Sequence, residues 1–372
     1  MRIAVQEHRL LESLDLRRWD ALQPAGGFYS SSPWLLHAER TADPPPFYFT
    51  ADDGRHCAAM PAYPLVASSP FTFCRADYVI DQISRRATGG PADWSARLMP
   101  CLACGPRNPS HTGVALPEGL DTGTRRAVLD AVIHKAESAA HEHGLRSVAY
   151  LYVDATDHAL RSALEAAGYA AMHGETTYTL AVPRSGDFAD YVASLRNNRR
   201  RVRRDVRTLD AAGVSYGVHR LSDELAERVA PLEAQLYARY GAAGDEATLR
   251  GVLRSIARNI PGHAEVVTAE VGGRLAGFVL IFTHRRDLYA RQAGFDYAVQ
   301  GRLPLYFGLV YYELVRLAQR RGLSTIHYSI GADEAKVSRG CVGVGQIAYV
   351  KGLVPEIHRR LLDLARLSPP RT

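Results

Sequence analysis

A short turn near the carboxyl end of the sequence holds the densest set of residues that could do chemistry. It reads Gly331-Ala-Asp-Glu-Ala-Lys-Val-Ser-Arg-Gly340 and contains two carboxylates, one ammonium and one guanidinium. The lysine is one of only three lysines among 45 basic residues. An ammonium is a compact point charge with three rotatable donors, whereas a guanidinium is a planar fork. We therefore predict that Lys336 stabilises a negative charge; the alternative is that it pairs with Asp333 or Glu334.

A second chemical feature is a run of arginines in the middle of the chain. Apolar residues recur at helical spacing from Val192 to Leu209, which predicts an amphipathic helix over about 187–211 with one cationic face. Asp205 is the one acidic residue within the run. Because like charges one helical turn apart repel each other, we expect this face to bind the phosphates of a polyanion; the alternative is a face that is only solvated. The predicted phosphate contacts are Arg196, Arg199, Arg200, Arg203 and Arg207.

Several familiar signatures are absent from the sequence. It has no GxGxxG, Walker A, GxSxG or HExxH pattern, which argues against nucleophilic and metal-dependent hydrolases. Cys101-Leu-Ala-Cys104 is a single CxxC, with neither a second one nor the paired histidines that would complete a zinc site. We expect buried strand thiols at this point and no metal site.

Two parts of the sequence repeat one order of elements, a hairpin, a strand, a helix and a further strand. In both parts a glycine, Gly144 or Gly322, follows the last turn of the helix, as a left-handed helix terminus requires. The hairpins are predicted over 50–61 and 268–279, and the helices over 124–143 and 305–321.

Length and composition fit this repetition. With 372 residues, of which 47% are hydrophobic and 23% charged, the chain is long enough for at least two globular domains. We predict one domain over 1–180, with an insertion near 66–105, and one over 181–372, which opens with the arginine-rich helix. The alternative is a single mixed domain. The net charge is +6. No apolar run approaches the roughly 20 residues of a membrane helix and no secretory signal is visible, so we expect a cytoplasmic protein without a membrane span.

Four of these features together resemble one protein family. They are the arginine-rich segment 194–204, the strand 287–297 with its Leu-Tyr-x-Arg sequence, the helix that contains Tyr311-Tyr312, and the charged turn. The sequence is similar to the FemAB-related peptidoglycan biosynthesis/recognition proteins, which belong to the Fem-like branch of the GNAT (acyl-CoA N-acyltransferase) superfamily. The charged turn departs from the pattern of that group twice. One residue fewer separates Ala332 from Glu334, and Ala335 stands where the group tends to carry a polar residue.

The resemblance implies a fold and an activity. The fold is mixed α/β (α+β), with tandem GNAT-like domains that each contain a twisted mixed sheet flanked by helices. The activity is transfer of an acyl or aminoacyl group onto an amine, with formation of an amide bond. The acceptor is an amine-bearing small molecule or peptide of cell-wall or specialised-metabolite synthesis. No cofactor is bound, and the donor co-substrate is aminoacyl-tRNA or acyl-CoA.

The sequence bears on the choice of donor. A CoA-dependent GNAT enzyme carries a glycine-rich loop whose backbone amides hold the pyrophosphate. The corresponding segments of this chain, 299–306 and 105–111, lack that pattern. Together with the arginine-rich helix, this favours aminoacyl-tRNA as donor, and hence tRNA as a partner. Acyl-CoA is the alternative donor, and a non-catalytic recognition module is the alternative to an enzyme.

Given this resemblance, the chemistry to be explained is aminolysis, in which the acceptor amine loses a proton and the tetrahedral intermediate needs its oxyanion stabilised. Glu334 and Asp333 are the predicted bases. Tyr289 or Tyr312 is the predicted proton donor to the leaving group; the alternative is that both tyrosines are core residues.

The remaining predicted residues are cationic. We expect Lys336 and Arg339 to share a donor phosphate or the developing oxyanion. Arg339 and Arg291, the latter from the Leu-Tyr-x-Arg strand, join the helix arginines as predicted donor- or substrate-binding residues.

Overall fold

A computed structural model describes residues 3–22, 27–52, 57–69, 72–90, 93–106, 111–183, 187–241 and 244–369. The chain forms two compact units. The first contains Met1–Thr177 and Val344–Thr372, and the second contains Tyr178–Gly343.

The secondary structure alternates between strands and helices along the chain. The strands are β1 (Val5–His8), β2 (Phe47–Asp52), β3 (Cys57–Leu65), β4 (Cys101–Cys104), β5 (Ser147–Asp154), β6 (Ala170–Ala181), β7 (Ser215–Arg220), β8 (Ala264–Val271), β9 (Arg274–His284), β10 (Asp287–Phe295), β11 (Thr325–Ser329) and β12 (Val342–Gly352). The α-helices are α1 (Leu16–Ala21), α2 (Ser32–Thr41), α3 (Ala76–Thr88), α4 (Ser95–Leu98), α5 (Thr122–Glu142), α6 (His158–Ala166), α7 (Phe188–Ser194), α8 (Arg199–Ala211), α9 (Asp223–Arg239), α10 (Glu246–Asn259), α11 (Tyr297–Gln300), α12 (Leu305–Phe307), α13 (Leu314–Arg320), α14 (Asp333–Ser338) and α15 (Pro355–Leu367). A π-helical turn, Gly308–Glu313, lies between α12 and α13.

The first unit is built on a mixed sheet with a long helix packed against it. Its strands follow the order β1-β2-β3-β4-β5-β12. Neighbours in this series are antiparallel except β4 and β5, which are parallel and are connected through α5. The helix begins at Asp121, whose side chain accepts from the backbone of the first turn, and ends before Gly144, whose φ of 65° is left-handed. Val132 of α5 shares a buried core with Phe49 and Tyr150 of the sheet.

The second unit repeats this arrangement. Its strands follow the order β11-β10-β9-β8-β7, and β11 also pairs with the part of β6 from Tyr178 onward. Here β10 and β11 are the parallel pair, and the chain between them forms α11, α12, the π-helical turn and α13. Gly322, with a φ of 64°, follows the end of α13. Leu309 and Val315 from this helical segment share a core with Val279 and Ile326 of the sheet.

Both units therefore contain the repeated order predicted from the sequence. In each, a hairpin (β2-β3 or β8-β9) is followed by a third strand, a helix and a fourth strand parallel to the third. The first unit carries α3 and α4 between β3 and β4, whereas Arg285 and Arg286 make a tight turn at the corresponding place in the second unit.

The arginine-rich segment differs from the single helix predicted over about 187–211. α7 ends at Ser194, and α8 begins only at Arg199. Between them Asn198 has a φ of 68°, a left-handed conformation that a right-handed helix cannot contain. Arg196 consequently lies outside α8, and the five predicted arginines do not share one continuous helix.

The position of the carboxyl-terminal residues also differs from the prediction. The predicted domain boundaries assigned these residues to the second domain. β12 pairs with β5 in antiparallel register, with Gln346 opposite Asp154 and Gly352 opposite Ser147. α15 packs against α3. These contacts bring the residues from Val344 onward into the first unit.

Candidate active site

The candidate active site lies where the parallel strands β10 and β11 separate. Their register pairs Tyr289 with His327 and, within the described residues, extends no further toward the carboxyl ends. β10 then contains a bulge between Ala290 and Gln292, and β11 ends at Ser329. Open α/β sheets bind ligands beyond the carboxyl ends of their strands, and bulges redirect side chains beside active sites. The opening beyond Tyr289 and His327 is therefore the candidate site for chemistry in the second unit.

A buried carboxylate, Glu233 of α9, faces this bulge. The residue is 1% exposed, and its Oε1 accepts a hydrogen bond of 2.8 Å from Nε2 of Gln292. Its Oε2 has no hydrogen-bond partner among the described residues. Burial of a polar atom without a partner costs free energy, and such exceptions are concentrated at sites with a chemical role.

The close approach of α9 to β10 places Glu233 against the strand. Gly294 of β10 approaches the helix so closely that a Cβ at this position would lie 2.3 Å from the backbone nitrogen of Glu233. Any side chain at position 294 would therefore push α9 and its carboxylate away from β10.

The surroundings of Glu233 adjust its acidity. Burial raises the pKa of this carboxyl to about 7, although the Gln292 hydrogen bond and the charge of Arg291 act in the opposite direction. A group that titrates close to neutral pH can accept and release a proton at little cost. Glu233 is thus suited to general acid–base catalysis.

Prediction from the sequence missed Glu233, but one signal was present. Ala226, Val229 and Ala230 are buried at helical spacing, and the next position on the same stripe is Glu233. A carboxylate in the apolar stripe of an amphipathic helix is an exception worth noting in any sequence.

The charged turn follows β11 and begins with a strained backbone. Ser329, Gly331 and Ala332 have φ values of 56°, 75° and 53°, a region that residues other than glycine rarely adopt. Lys336 is buried, and its Nζ donates to the carbonyl oxygens of Ser329 at 2.9 Å and of Ile330 at 2.7 Å. Because an ammonium has three donors, these contacts leave one N–H for a developing oxyanion. The alternative ion pair with a carboxylate of the turn is not formed.

Lys336 also has a shifted acidity. Burial lowers the pKa of its ammonium to about 8, against the opposing influence of Cys341 and Asp333. The Nζ lies 5.1 Å from the centre of the Tyr178 ring, a distance at which an aromatic face attracts a cation. The group is therefore charged at neutral pH and becomes neutral in the mildly alkaline range.

We expect Lys336→Met to raise the barrier for transfer by roughly 2 to 4 kcal/mol, the scale of losing one oxyanion-hole donor. Lys336→Arg is expected to be impaired as well, because the planar fork cannot occupy the same point. In the wild type, kcat should fall above pH 8, where the ammonium deprotonates. Steady-state kinetics across pH would check this. A merely structural lysine would change thermal stability without moving the alkaline limb.

Arg339, which follows α14, is 1% exposed and is held inside the second unit. Its Nη2 donates to Oδ2 of Asp205 at 3.1 Å, and its Nε donates to the hydroxyl of Tyr312 at 3.0 Å. Tyr312 in turn donates to Oδ2 of Asp205 at 2.8 Å, and the guanidinium lies 3.7 Å from the centre of the Phe307 ring. We call Asp205, Tyr312 and Arg339 the Asp205 clasp. These contacts fasten α8 to the charged turn, so the predicted chemical roles of Tyr312 and Arg339 stay predictions.

The other residues predicted to do chemistry lie at different depths. Asp333 and Glu334 are exposed at the start of α14. Tyr289 is buried, and its ring stacks on the imidazole of His327 with 4.4 Å between the ring centres. Arg291 is partly buried on β10 beside the bulge, where its charge acts on Glu233. The structure thus brings Tyr289 and Arg291 onto the bulged strand and leaves the two predicted bases at the surface.

The predicted phosphate-binding arginines are all exposed. They are Arg196, Arg199, Arg200, Arg203 and Arg207. None of them forms an ion pair within the described ranges, and Asp205, the acid of the run, is engaged by Arg339. α8 also opens with three consecutive arginines over 199–201, at a helix end where the dipole favours acidic residues. This charge arrangement weakens the isolated helix and suits a bound polyanion.

Neither a metal cluster nor a membrane-spanning helix occurs in the part of the chain that the structure describes. No group of three or more His, Cys, Asp and Glu side chains there is arranged to hold a metal ion. No helix there combines the length and the apolar character that crossing a bilayer requires. Cys101 and Cys104 are buried free thiols on β4, and burial raises the pKa of Cys101 to about 12.

The fold is that of tandem GNAT proteins. Over 95% of this chain and 99% of the other, it resembles the crystal structure of FemX, with a TM-score of 0.63 and 11% identity. A tandem GNAT protein from the clavulanic acid biosynthesis pathway, solved without AcCoA, matches with a TM-score of 0.52, 13% identity and coverage of 95% and 99%. A conserved protein of unknown function from Bacteroides thetaiotaomicron VPI-5482 matches with a TM-score of 0.53, 12% identity and coverage of 93% and 99%. The mixed α/β tandem GNAT fold predicted from the sequence is confirmed.

The family follows from the sequence itself. A model of the FemAB-like family, described as peptidoglycan biosynthesis/recognition, matches residues 12–351. The chain belongs to this family, which confirms the resemblance noted above. A comparison with curated proteins gives no match. The family model thus links the chain to peptidoglycan biosynthesis or recognition, and the solved structures show its tandem GNAT fold.

Proposed function

We propose that this protein forms amide bonds by transferring an aminoacyl group from aminoacyl-tRNA to an amine of a peptide or small molecule. The family supports an acceptor of the peptidoglycan type, whose peptide stems offer amines. The observation that carries the choice of donor is the exposed arginine surface of α8, which has no carboxylate partners among the described residues.

The arginine surface favours a long polyanion over a compact one. The five predicted arginines extend from Arg196, before α8, to Arg207, about two turns into it. A helix rises about 1.5 Å per residue, so the charges cover a stretch that is matched by several consecutive phosphates of an RNA backbone. Phosphate contacts of this kind position a nucleic acid without reading its sequence. Acyl-CoA, which carries fewer phosphates, remains the alternative donor.

We assign the chemistry to two groups of the second unit, Glu233 beside the bulge of β10 and Lys336 after the end of β11. Glu233 takes the proton from the attacking amine, because its pKa of about 7 keeps a basic carboxylate available at neutral pH. Lys336 stabilises the oxyanion of the tetrahedral intermediate. When this intermediate collapses, the C–O bond to the tRNA ribose breaks, and the protonated Glu233 returns its proton to the departing ribose oxygen. Gln292 orients Glu233 through its 2.8 Å hydrogen bond, and the carbonyls of Ser329 and Ile330 orient Lys336. Glu334 is the second candidate base, predicted from the sequence and exposed.

The donor can be tested directly. The full chain is incubated with a cell-wall precursor pool and either radiolabelled acetyl-CoA or a tRNA pool charged with labelled amino acids. We expect label to pass to the acceptor from the charged tRNA and not from acetyl-CoA. Transfer from acetyl-CoA alone would establish the alternative donor. Retention of the precursor without transfer from either donor would identify a recognition module.

We expect the triple variant Arg200→Gln, Arg203→Gln, Arg207→Gln to bind charged tRNA at least about tenfold more weakly. Each lost phosphate contact should also lower the slope of log affinity against log salt by about 0.7 to 0.9, because fewer counterions are released. Filter binding over a series of salt concentrations measures both effects.

The matched control for this triple variant changes the net charge equally at another helix. Arg359, Arg360 and Arg366 are exposed on α15, so their replacement by glutamine should leave affinity and salt slope unchanged. If the two triple variants behave alike, the α8 surface has no specific role in binding the donor.

A further inference from the structure

The first unit contains a cavity that the proposed transferase site does not use. Its volume is about 470 Å³, which lies in the range of small-molecule sites. The end of β5, the start of α6, the amino-terminal half of α5 and the segment 111–118 line it. Its walls are largely apolar, with Leu116, Leu129 and Leu160 among them.

A histidine and an aspartate form a hydrogen-bonded pair in the wall of this cavity. Nδ1 of His111 lies 3.0 Å from Oδ2 of Asp154, and the two side chains are 22% and 25% exposed. The other oxygen of Asp154 accepts a hydrogen bond of 3.0 Å from Nε2 of Gln346, a residue that is 1% exposed. A carboxylate that holds Nδ1–H fixes the tautomer of the ring, so that Nε2 is the free base.

The backbone around the pair supports its orientation. The backbone N–H of Thr112 donates to the carbonyl of Tyr152 on β5 at 2.7 Å, which ties the histidine segment to the strand that ends in Asp154. A Cβ at Gly113 would lie 2.7 Å from Nε2 of His111. Glycine at this position therefore keeps the basic nitrogen clear of a side chain.

The charges around the cavity indicate what it would bind. Three carboxylates line it, Glu118, Asp154 and Asp157, against one arginine, Arg125. Asp157 is partly engaged, because it accepts from the backbone N–H of Leu160 as the N-cap of α6. An acidic cavity with apolar walls disfavours phosphate-bearing donors and suits a cation with an aliphatic stem.

We propose that this cavity binds an aliphatic primary amine in its ammonium form, with one N–H of the ammonium donating a hydrogen bond to Nε2 of His111. The ammonium keeps its proton, because an aliphatic amine is a much stronger base than an imidazole. Asp154 holds the ring so that Nε2 is the acceptor, and Gln346 holds Asp154 in place. The site belongs to the first unit alone and does not depend on whether the second unit transfers an acyl group.

The probe for this site is n-butylamine, and n-butanol is the uncharged control of the same length. Titration calorimetry on the full chain should show saturable binding of the amine in the millimolar range, a modest affinity for a ligand of this size. We expect n-butanol to bind at least about tenfold more weakly, because it lacks the charge-assisted contact with the pair. On addition of the amine, the ¹⁵N signal of His111 Nε2 should shift as this nitrogen accepts a hydrogen bond from the ammonium, without reaching the imidazolium value.

Two variants separate this proposal from a purely structural role of the pair. Asp154→Asn should weaken amine binding by at least about tenfold, since it removes the charge and the tautomer control. Gly113→Ala leaves the pair chemically intact but places a methyl group against Nε2. It should weaken amine binding to a similar extent. This second variant keeps the test valid if the Asp154 variant fails to fold. Gly90→Ala is the matched control, because a Cβ at that position meets nothing within 4 Å.

Three results would overturn the proposal. They are equal binding of n-butylamine and n-butanol, no saturable amine binding to the wild type, and unchanged amine affinity in the Gly113 variant. Amine binding without any shift of the Nε2 signal would refute the hydrogen bond to His111. Because none of these readouts involves tRNA or transfer, a failure here is distinct from a failure of the proposed aminoacyl transfer.

Discussion

Replacing Glu233 with glutamine is expected to lower kcat by about 100- to 10,000-fold, the usual contribution of a general base. Glutamine keeps the shape of the side chain but cannot accept the proton of the amine. In the wild type, activity should rise as the pH passes about 7, where the carboxyl loses its proton, and this rise should be missing in the variant. The Lys336 ammonium loses its charge above pH 8, so activity should fall again there. The wild type should therefore show a narrow bell-shaped profile of activity against pH.

Glu334→Gln is the matched control, because it makes the same chemical change at an exposed carboxylate of the same unit. Unchanged turnover in the Glu334 variant and a large loss in the Glu233 variant would assign the base. The opposite pattern would restore the assignment predicted from the sequence and would remove Glu233 from the mechanism.

Glu233 should also leave a signature in stability that needs no substrate. Its pKa is raised from 4.5 to about 7, so the fold favours the protonated carboxyl. The protonated Glu233 therefore contributes to the free energy of unfolding. This contribution is fully present below pH 4.5 and is lost as the pH rises through about 7, where the folded carboxyl ionises. At about 1.4 kcal/mol per pKa unit, the free energy of unfolding should fall by about 3 kcal/mol over this range. Urea unfolding at about pH 4 and about pH 8 should show this fall in the wild type, and Glu233→Gln should remove it.

The parts of the fold that were predictable are those specified by neighbouring residues. The helical spacing before Gly144 and Gly322, with strand-forming segments after each, predicted the two repeated units, and both glycines have the left-handed φ that ends a helix. The break at Asn198 was not predictable in this way. An asparagine is acceptable in a helix, and the contacts beside it come from the distant charged turn. The side chain of Asn198 donates to the carbonyl of Ser338 at 3.5 Å, and Leu195 lies against Gly340.

The site was harder to predict than the fold because its residues come together over long separations. Asp205 and Arg339 are 134 positions apart, and Glu233 and Gln292 are 59 positions apart. Periodicity reports which face of an element is buried but not which residue of another element meets it. The sequence indicated Arg339 as a cation available for a donor, because nothing local showed that Asp205 and Tyr312 engage it.

We expect Asp205→Asn to lower the free energy of unfolding by about 3 to 5 kcal/mol, the usual cost of leaving one partner of a buried ion pair uncompensated. Arg339 is 1% exposed, so its guanidinium could not recover the lost interaction from water. Urea unfolding monitored by circular dichroism would measure the change. Asp223→Asn removes a carboxylate from an exposed pair with Arg258 and should have little effect, since exposed pairs contribute little.

The double variant Asp205→Leu, Arg339→Met tests whether the Asp205 clasp contributes only to folding or also to catalysis. Replacing both members of a buried pair by apolar residues is often neutral or stabilising, so most of the lost stability should return. Activity should not return with it, because Lys336 lies three residues before Arg339, and the clasp holds the turn that carries the ammonium against α8. Recovery of both stability and kcat would show that the clasp contributes only to folding. Recovery of stability alone, with kcat still reduced, would show that the clasp residues are needed for catalysis as well as for folding.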